Sequence, residues 1–109
     1  MTKLIPIEEN GVTIGYMFYC PGCGENHALY IRPNRALNGV SWNFNGDVEQ
    51  PAFYPSLLTT IEQSNKRFKV CHLYVTDGKI QFLSDCTHSL AGQLVEIPDQ
   101  DQYGSKDYS

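Results

Sequence analysis

Long apolar segments are missing from this sequence. No run of about eighteen apolar residues is present, so the sequence predicts no membrane-spanning helix. The first residues, MTKLIPIEENG, also lack the apolar stretch of a signal peptide. The net charge is −4 and the 8 lysine and arginine residues are scattered, which is atypical of nucleic-acid binders. We therefore expect a cytoplasmic protein with no membrane attachment and no nucleic-acid partner.

Helical periodicity is missing as well. Glycine and proline divide the 109 residues into short segments, and none has an apolar stripe over three helical turns. Pro51 and Pro55 disfavour both a long helix and a central strand in QPAFYPSLLTT. The segment HSLAGQ could form one helical turn. Strands are predicted over 3–7, 12–19, 27–32, 41–47, the two arms of a hairpin within 68–86, and 93–97.

These segments predict a mostly β fold, namely a small single-domain antiparallel β fold with a zinc knuckle and at most one short helix. The length allows one domain. We expect the domain to span residues 1–97 and residues 98–109 to form a polar, flexible tail.

The clearest hairpin is VCHLYVTDGKIQFLSDC, with Asp77-Gly78 as its two-residue turn. This turn places His72 opposite Leu83 and, because side chains alternate along a strand, sends Cys71 and His72 to opposite faces. The face of Cys71 is apolar and also carries Cys86, whereas the face of His72 is largely polar. We expect the first face to be buried.

Cysteine is scarce, with four residues, and two of them form the CPGC of the stretch CPGCGENH. Disulfides are disfavoured in the cytoplasm, and Cys71 and Cys86 would lie about 7–8 Å apart as a diagonal pair. We predict one structural Zn²⁺ ion held by Cys20, Cys23, Cys71 and Cys86. His88 could replace Cys86, and His27 could replace any of the cysteines. The alternative is four reduced, buried thiols.

Two catalytic arrangements can be drawn from the polar side chains. In the first, Asp85 orients His72 on the polar face of the hairpin, and Ser56 in FYPSLL is the nucleophile. In the second, the three histidines His27, His72 and His88 hold a catalytic zinc ion, with Glu25 as the base. Opposite faces for His72 and His88 argue against the second arrangement.

Four segments together resemble a family of small phage and bacterial proteins that often carry the label "ammonia monooxygenase". The segments are CPGCGENH, SWNFNGD, PAFYPSLL and CHLYVTDGKIQFLSDCTHSLAGQ, and the likeness spans about residues 16 to 97. More distantly, the sequence resembles the serine peptidase of bacterial ubiquitin-like conjugation operons. The shared features are the knuckle at 20–25, Trp42 with Asn45-Gly46, Pro55-Ser56 and Cys71-His72.

The resemblance implies a peptidase that processes ubiquitin-like proteins, with Ser56 as nucleophile and His72 as base. The role of Asp85 follows from the hairpin and not from the family. The sequence also leaves open a non-catalytic zinc module that binds a host or phage protein. Its contact patch would be aromatic, or these same residues would be core: Trp42, Phe44, Phe53 and Tyr54. In either case the partner is a protein.

Overall fold

The computed structural model describes residues 3–36, 39–62 and 66–99. The tail predicted at 98–109 lies almost entirely outside these ranges. The eight strands are β1 (Ile5–Glu9), β2 (Val12–Cys20), β3 (Glu25–Tyr30), β4 (Asn43–Phe44), β5 (Phe53–Glu62), β6 (Phe68–Thr76), β7 (Lys79–Phe82) and β8 (Leu94–Glu96). They form two antiparallel sheets, in the orders β1-β2-β3 and β4-β5-β6-β7-β8. The mostly β fold is therefore confirmed.

No helix occurs among the described residues, and thus none that could cross a membrane. The helical turn predicted in HSLAGQ is wrong, because residues 88–92 form a series of turns instead. Gly92 within this segment has φ 79°, a conformation that the right-handed helix does not use. The chain reverses here and enters β8, as the sequence predicted for QLVEI.

Two tight turns set the registers of the β1–β2 and β6–β7 hairpins. At Asn10-Gly11 and Asp77-Gly78 both residues have positive φ, which matches the right-handed twist of the strands that they join. The second turn pairs Leu73 with Phe82 and Thr76 with Lys79, so the predicted hairpin register is confirmed. The ladder ends at Phe82, after which the backbone N–H of Leu83 still donates to the carbonyl of His72 at 2.9 Å.

The core lies between the two sheets. One apolar cluster joins Phe18 and Leu29 of the first sheet to Phe53, Leu73 and Phe82 of the second, all at most 1% exposed. Burying these side chains stabilises the fold by about 1.5–3 kcal/mol each. Alternation along β6 and β7 therefore sends one face of the hairpin inward, as the sequence predicted.

The segment with two prolines forms a strand after all. β5 runs for ten residues, includes Pro55 and lies between β4 and β6, so the expectation that the prolines exclude a central strand is wrong at Pro55, whereas Pro51 precedes the strand. Pro55 is tolerated because the register shifts between Phe53 and Leu57, where the ladder is interrupted. On its other side β5 pairs with β4 only at Phe53 and Tyr54. This interruption places Ser56 at an irregular point of the sheet.

The two sheets are connected at Trp42. Its backbone N–H donates to the carbonyl of Tyr30 at 2.8 Å, and its carbonyl accepts from the N–H of Arg32 at 3.0 Å. The next two residues form β4 and pair with β5. The short segment 42–44 thus holds the end of β3 beside the start of β5, close to Ser56.

Candidate functional site

Strand β6 delivers two neighbouring side chains to opposite sides of the sheet. Cys71 points into the core and is 1% exposed, whereas the side chain of His72 is 25% exposed on the outer face. This arrangement follows from the two-residue period of a strand. A buried sulfur group and an exposed histidine group therefore begin on adjacent residues of one element.

The outer group consists of Ser56, His72 and Asp85. Ser56 Oγ lies 3.3 Å from His72 Nε2, and His72 Nδ1 lies 3.0 Å from Asp85 Oδ2. With Nδ1 protonated and donating to the carboxylate, Nε2 is free to accept the hydroxyl proton of Ser56. The geometry thus brings together the serine, histidine and aspartate that the sequence singled out, in the order needed for nucleophilic catalysis.

The main chain of Ser56 is held by the neighbouring segment. The indole Nε1 of Trp42 donates to the carbonyl of Ser56 at 3.3 Å, and Trp42 itself is 6% exposed. A buried indole has few alternative positions, so this bond restrains the residue that carries the hydroxyl. The contact was not predicted from the sequence.

The main chain of His72 is held by Cys86. Its thiol donates to the carbonyl of His72 at 3.2 Å, and the N–H of His72 lies 3.3 Å from the same sulfur. The N–H of Leu83 donates to the same carbonyl at 2.9 Å, so the thiol adds to the last backbone hydrogen bond that follows β7. Cys86 therefore restrains the backbone of the residue that carries the imidazole.

The inner group consists of Cys20, Cys23, His27 and Cys71. One ligand atom from each lies within 4.8 Å of all the others. The sulfurs of Cys20 and Cys71 are 3.8 Å apart. Two thiolates at about 2.3 Å from one tetrahedral zinc ion would be separated by about 3.8 Å, so the spacing fits that ion. The four residues could therefore hold a metal.

The knuckle at 20–24 has the backbone of a ligand loop. The N–H of Cys23 donates to Cys20 Sγ at 3.4 Å, and the N–H of Gly24 donates to the carbonyl of Cys20 at 2.8 Å. Gly24 has φ 74°, which a residue with a side chain rarely adopts. The turn presents two sulfurs to the same point in the interior.

The pKa values of the three thiols in the inner group are shifted in opposite directions. The hydrogen bond from Cys71 lowers the pKa of Cys20 to about 4, against the opposing effect of burial. Burial raises the pKa of Cys23 to about 11, with the charge on Cys20 adding to it. The hydrogen bond with Cys20 likewise raises the pKa of Cys71. One thiolate is favoured here, and a divalent cation would allow all three to ionise.

His27 carries an unsatisfied hydrogen-bonding atom in the inner group. It is 7% exposed, and its Nε2 is buried without a hydrogen-bond partner among the described residues. An orphaned ring nitrogen is costly in a protein interior unless an ion or water meets it. His27 lies two residues before the apolar Leu29 on β3, and both are buried. The two-residue period of a strand is therefore the signal by which the sequence could have placed this ring inward.

The metal set predicted from the sequence differs from this group at one position. Cys86 lies with Cys71 and His88 in a second group, within the same 4.8 Å limit, and is not grouped with Cys20 and Cys23. His88 Nε2 lies 3.5 Å from Cys71 Sγ, and its Nδ1 accepts the N–H of Leu90 at 3.2 Å. Cys71 is therefore common to both groups.

His88 also packs on the knuckle. A Cβ atom added to Gly22 would meet the His88 ring at 2.3 Å, so only glycine fits at this position without displacing the ring. The ring makes an edge contact with Phe82, at 4.6 Å between centroids. His88 thus closes the inner group from the side of the second sheet.

The three-histidine zinc site is not assembled. His72 has both ring nitrogens directed at Ser56 and Asp85, while His27 and His88 belong to two different cysteine groups that share only Cys71. The aromatic patch is also largely interior: Trp42 and Phe53 are buried, and Phe44 stacks on Phe53 at 4.8 Å. Tyr54 is exposed at 53%.

Comparison with known protein families places this geometry in context. The model of the family described as "Bacterial ubiquitination-like system serine protease (BubE)" matches residues 2–83. The chain belongs to this family. The match includes Ser56, His72 and the whole inner group, whereas Asp85, Cys86 and His88 lie beyond its end. It says nothing about the label "ammonia monooxygenase". Searches of curated proteins and of solved structures each gave no match.

Proposed function

We propose that this protein is a serine peptidase or isopeptidase of a bacterial ubiquitination-like system, and that it cleaves a ubiquitin-like protein. The observation that carries the proposal is the alignment of Ser56 Oγ, both nitrogens of His72 and Asp85 Oδ2. The family to which the chain belongs supports the reaction class and the kind of substrate. The alternative, a non-catalytic zinc module that binds a protein partner, has no comparable support.

In the first step Ser56 Oγ attacks the scissile carbonyl while His72 Nε2 takes the hydroxyl proton. Asp85 accepts the Nδ1–H bond, which fixes the tautomer and stabilises the charge that the ring gains. His72 then gives the proton to the departing amine, and the acyl group stays on Ser56. Water deprotonated by the same ring releases the acid. The 3.3 Å distance between Oγ and Nε2 is long but usual before substrate binds.

We further propose that Cys20, Cys23, His27 and Cys71 hold one zinc ion with a structural role. The support is the 3.8 Å sulfur spacing, the orphaned His27 nitrogen and the choice of donors. Four protein ligands leave no open position, so the ion would stabilise the fold and would not activate water. A core of this size gains much from such an ion.

A fluorophosphonate that carries no peptide tests the catalytic part without knowledge of the substrate. Such a reagent phosphonylates an activated serine and releases fluoride. We expect intact-mass spectrometry to show one adduct on the wild-type protein and none on Ser56→Ala. The matched control is Ser89→Ala, which removes an exposed hydroxyl elsewhere and should leave labelling unchanged. An unlabelled wild type, or labelled Ser56→Ala, would overturn the mechanism.

A further inference from the structure

Beyond Ser56, strand β5 has an edge at which no strand of the described residues lies. β4 covers only Phe53 and Tyr54, and the Trp42 indole covers the carbonyl of Ser56. From Leu57 to Glu62 the strand pairs with β6 on one side, and none of the described residues forms a strand on the other. The edge therefore begins directly beside the proposed nucleophile.

The hydrogen bonds of β6 show which backbone groups of β5 face this edge. The N–H and carbonyl groups of Val70 and His72 bond to Thr87, Cys86 and Leu83, on the side away from β5. Because successive residues of a strand point their backbone groups to opposite edges, Cys71 and Leu73 must face β5. Their partners in the register are Thr59 and Leu57.

Leu58 and Thr60 therefore direct their N–H and carbonyl groups away from β6, into the open edge. No backbone partner for these groups occurs within residues 3–36, 39–62 and 66–99. A segment that offers a hydrogen-bond donor and an acceptor at every second residue would pair with the N–H and carbonyl groups of both Leu58 and Thr60. An extended polypeptide has this pattern, since its own backbone alternates in the same way.

The outer face beside this edge carries large exposed side chains among its polar residues. Leu58 lies opposite His72 in the register and is 56% exposed, and Tyr74 and Tyr54 are 43% and 53% exposed. Leu58 and Tyr74 share the outer face with the half-buried His72 ring, and these exposed side chains would contact alternate side chains of a docked strand. These side chains lie on the two strands that carry Ser56 and His72, so a segment bound to them would lie beside the proposed nucleophile.

We propose that the substrate binds as an extended polypeptide added to the open edge of β5, with its backbone on Leu58 and Thr60. The segment on the edge is the acyl side of the scissile bond. This side stays attached to Ser56 through both chemical steps, so holding it serves each of them, whereas the amine leaves after the first. The inference rests on the proposed serine mechanism for its reaction, but the docking itself can be measured without it.

The test compares peptidyl phosphonates with the small fluorophosphonate. Probes with one, two and four residues of valine and alanine carry a fluorophosphonate in place of the scissile carbonyl, so that Ser56 Oγ displaces fluoride from each of them as it does from the small reagent. We expect the labelling rate of Ser56 to rise with length. N-methylation of a residue that faces β5 should slow labelling about tenfold, because it removes one hydrogen bond and adds a clash. N-methylation of the next residue, which faces away, is the matched control and should have little effect.

Nuclear magnetic resonance gives a second measurement that needs no chemistry. The four-residue peptide, as its carboxylate, is titrated into the Ser56→Ala protein. We expect the amide signals of Leu58 and Thr60 to shift and to become protected from exchange, while the Thr59 amide, already bonded to β6, changes little.

The possible failures are distinguishable. If the small fluorophosphonate does not react, the serine mechanism fails and the resonance experiment still decides the docking. If it reacts but neither length nor the position of methylation matters, and the Leu58 and Thr60 amides do not respond, strand addition is wrong. Protection of these amides without peptide, rising with protein concentration, would instead show a second copy of this chain on the edge.

Discussion

The two sides of β6 differ in what a small displacement would cost. On the inner side Cys71 is enclosed by both sheets, and its sulfur lies 3.8 Å from that of Cys20. On the outer side His72 bonds to an exposed carboxylate and to a hydroxyl on the neighbouring strand. The inner group joins elements distant in the sequence and so supports the fold. The outer group depends on the fold for its positions and contributes little to the stability of the fold.

The comparison is sharpest for the substitution His72→Ala. We expect labelling of Ser56 by the fluorophosphonate to fall at least about a thousandfold, because the proton acceptor is lost. The melting temperature should change little, since the side chain is partly exposed and bonds only to Ser56 and Asp85 among the described residues. Labelling kinetics and thermal unfolding measure the two effects. A large loss of stability would show that the outer group also supports the fold.

The neighbouring change, Cys71→Ser, should act in the opposite sense. The proposed zinc ion loses its ligand from the second sheet and so no longer joins the two sheets. We expect the free energy of unfolding to fall on the order of 4 kcal/mol. Zinc content by mass spectrometry should fall with it, and chelation of the wild-type protein should reproduce the loss. If the protein contains no zinc and Cys71→Ser melts like the wild type, the inner group is four ordinary buried side chains.

Asp85→Asn should have an intermediate effect on the outer group alone. The amide can no longer accept the Nδ1–H bond as a charged partner, so the imidazole is oriented less well. Because the Asp85 side chain is 56% exposed, water can take part of its place, and we expect labelling to slow about 10–100-fold. Ser84→Ala, in the same turn, is the matched control. A loss as large as that of His72→Ala would mean that the carboxylate is shielded when substrate binds.

The smallest effect is expected for Cys86→Ser. Serine can still donate to the carbonyl of His72, although with a shorter side chain, so labelling should fall only a few-fold and stability by about 1 kcal/mol. Zinc content should be unchanged, whereas His27→Ala should lower it. Loss of zinc in Cys86→Ser with retention in His27→Ala would restore the set of four cysteines that the sequence predicts.

Local patterns explain how far the sequence could be interpreted. The turn residues Asp77-Gly78 determine the register of their hairpin, and the two-residue period then sends Cys71 inward and His72 outward. Both follow from interactions between near neighbours in the chain. Cys86, beyond the end of the ladder at Phe82, is buried and grouped with Cys71 as alternation predicts, but its group includes His88 and neither Cys20 nor Cys23.

The sequence by itself determined the mostly β class, the ligand-type knuckle and the opposite directions of Cys71 and His72. Each of these depends on backbone geometry within a few residues. Only the tertiary structure decided that His27, and not Cys86, lies with Cys20 and Cys23, that Trp42 bonds to Ser56, and that no described residue forms a strand on the outer edge of β5 beyond Ser56. These facts depend on how the two sheets pack. Packing is set by the whole core at once, and no single segment specifies it.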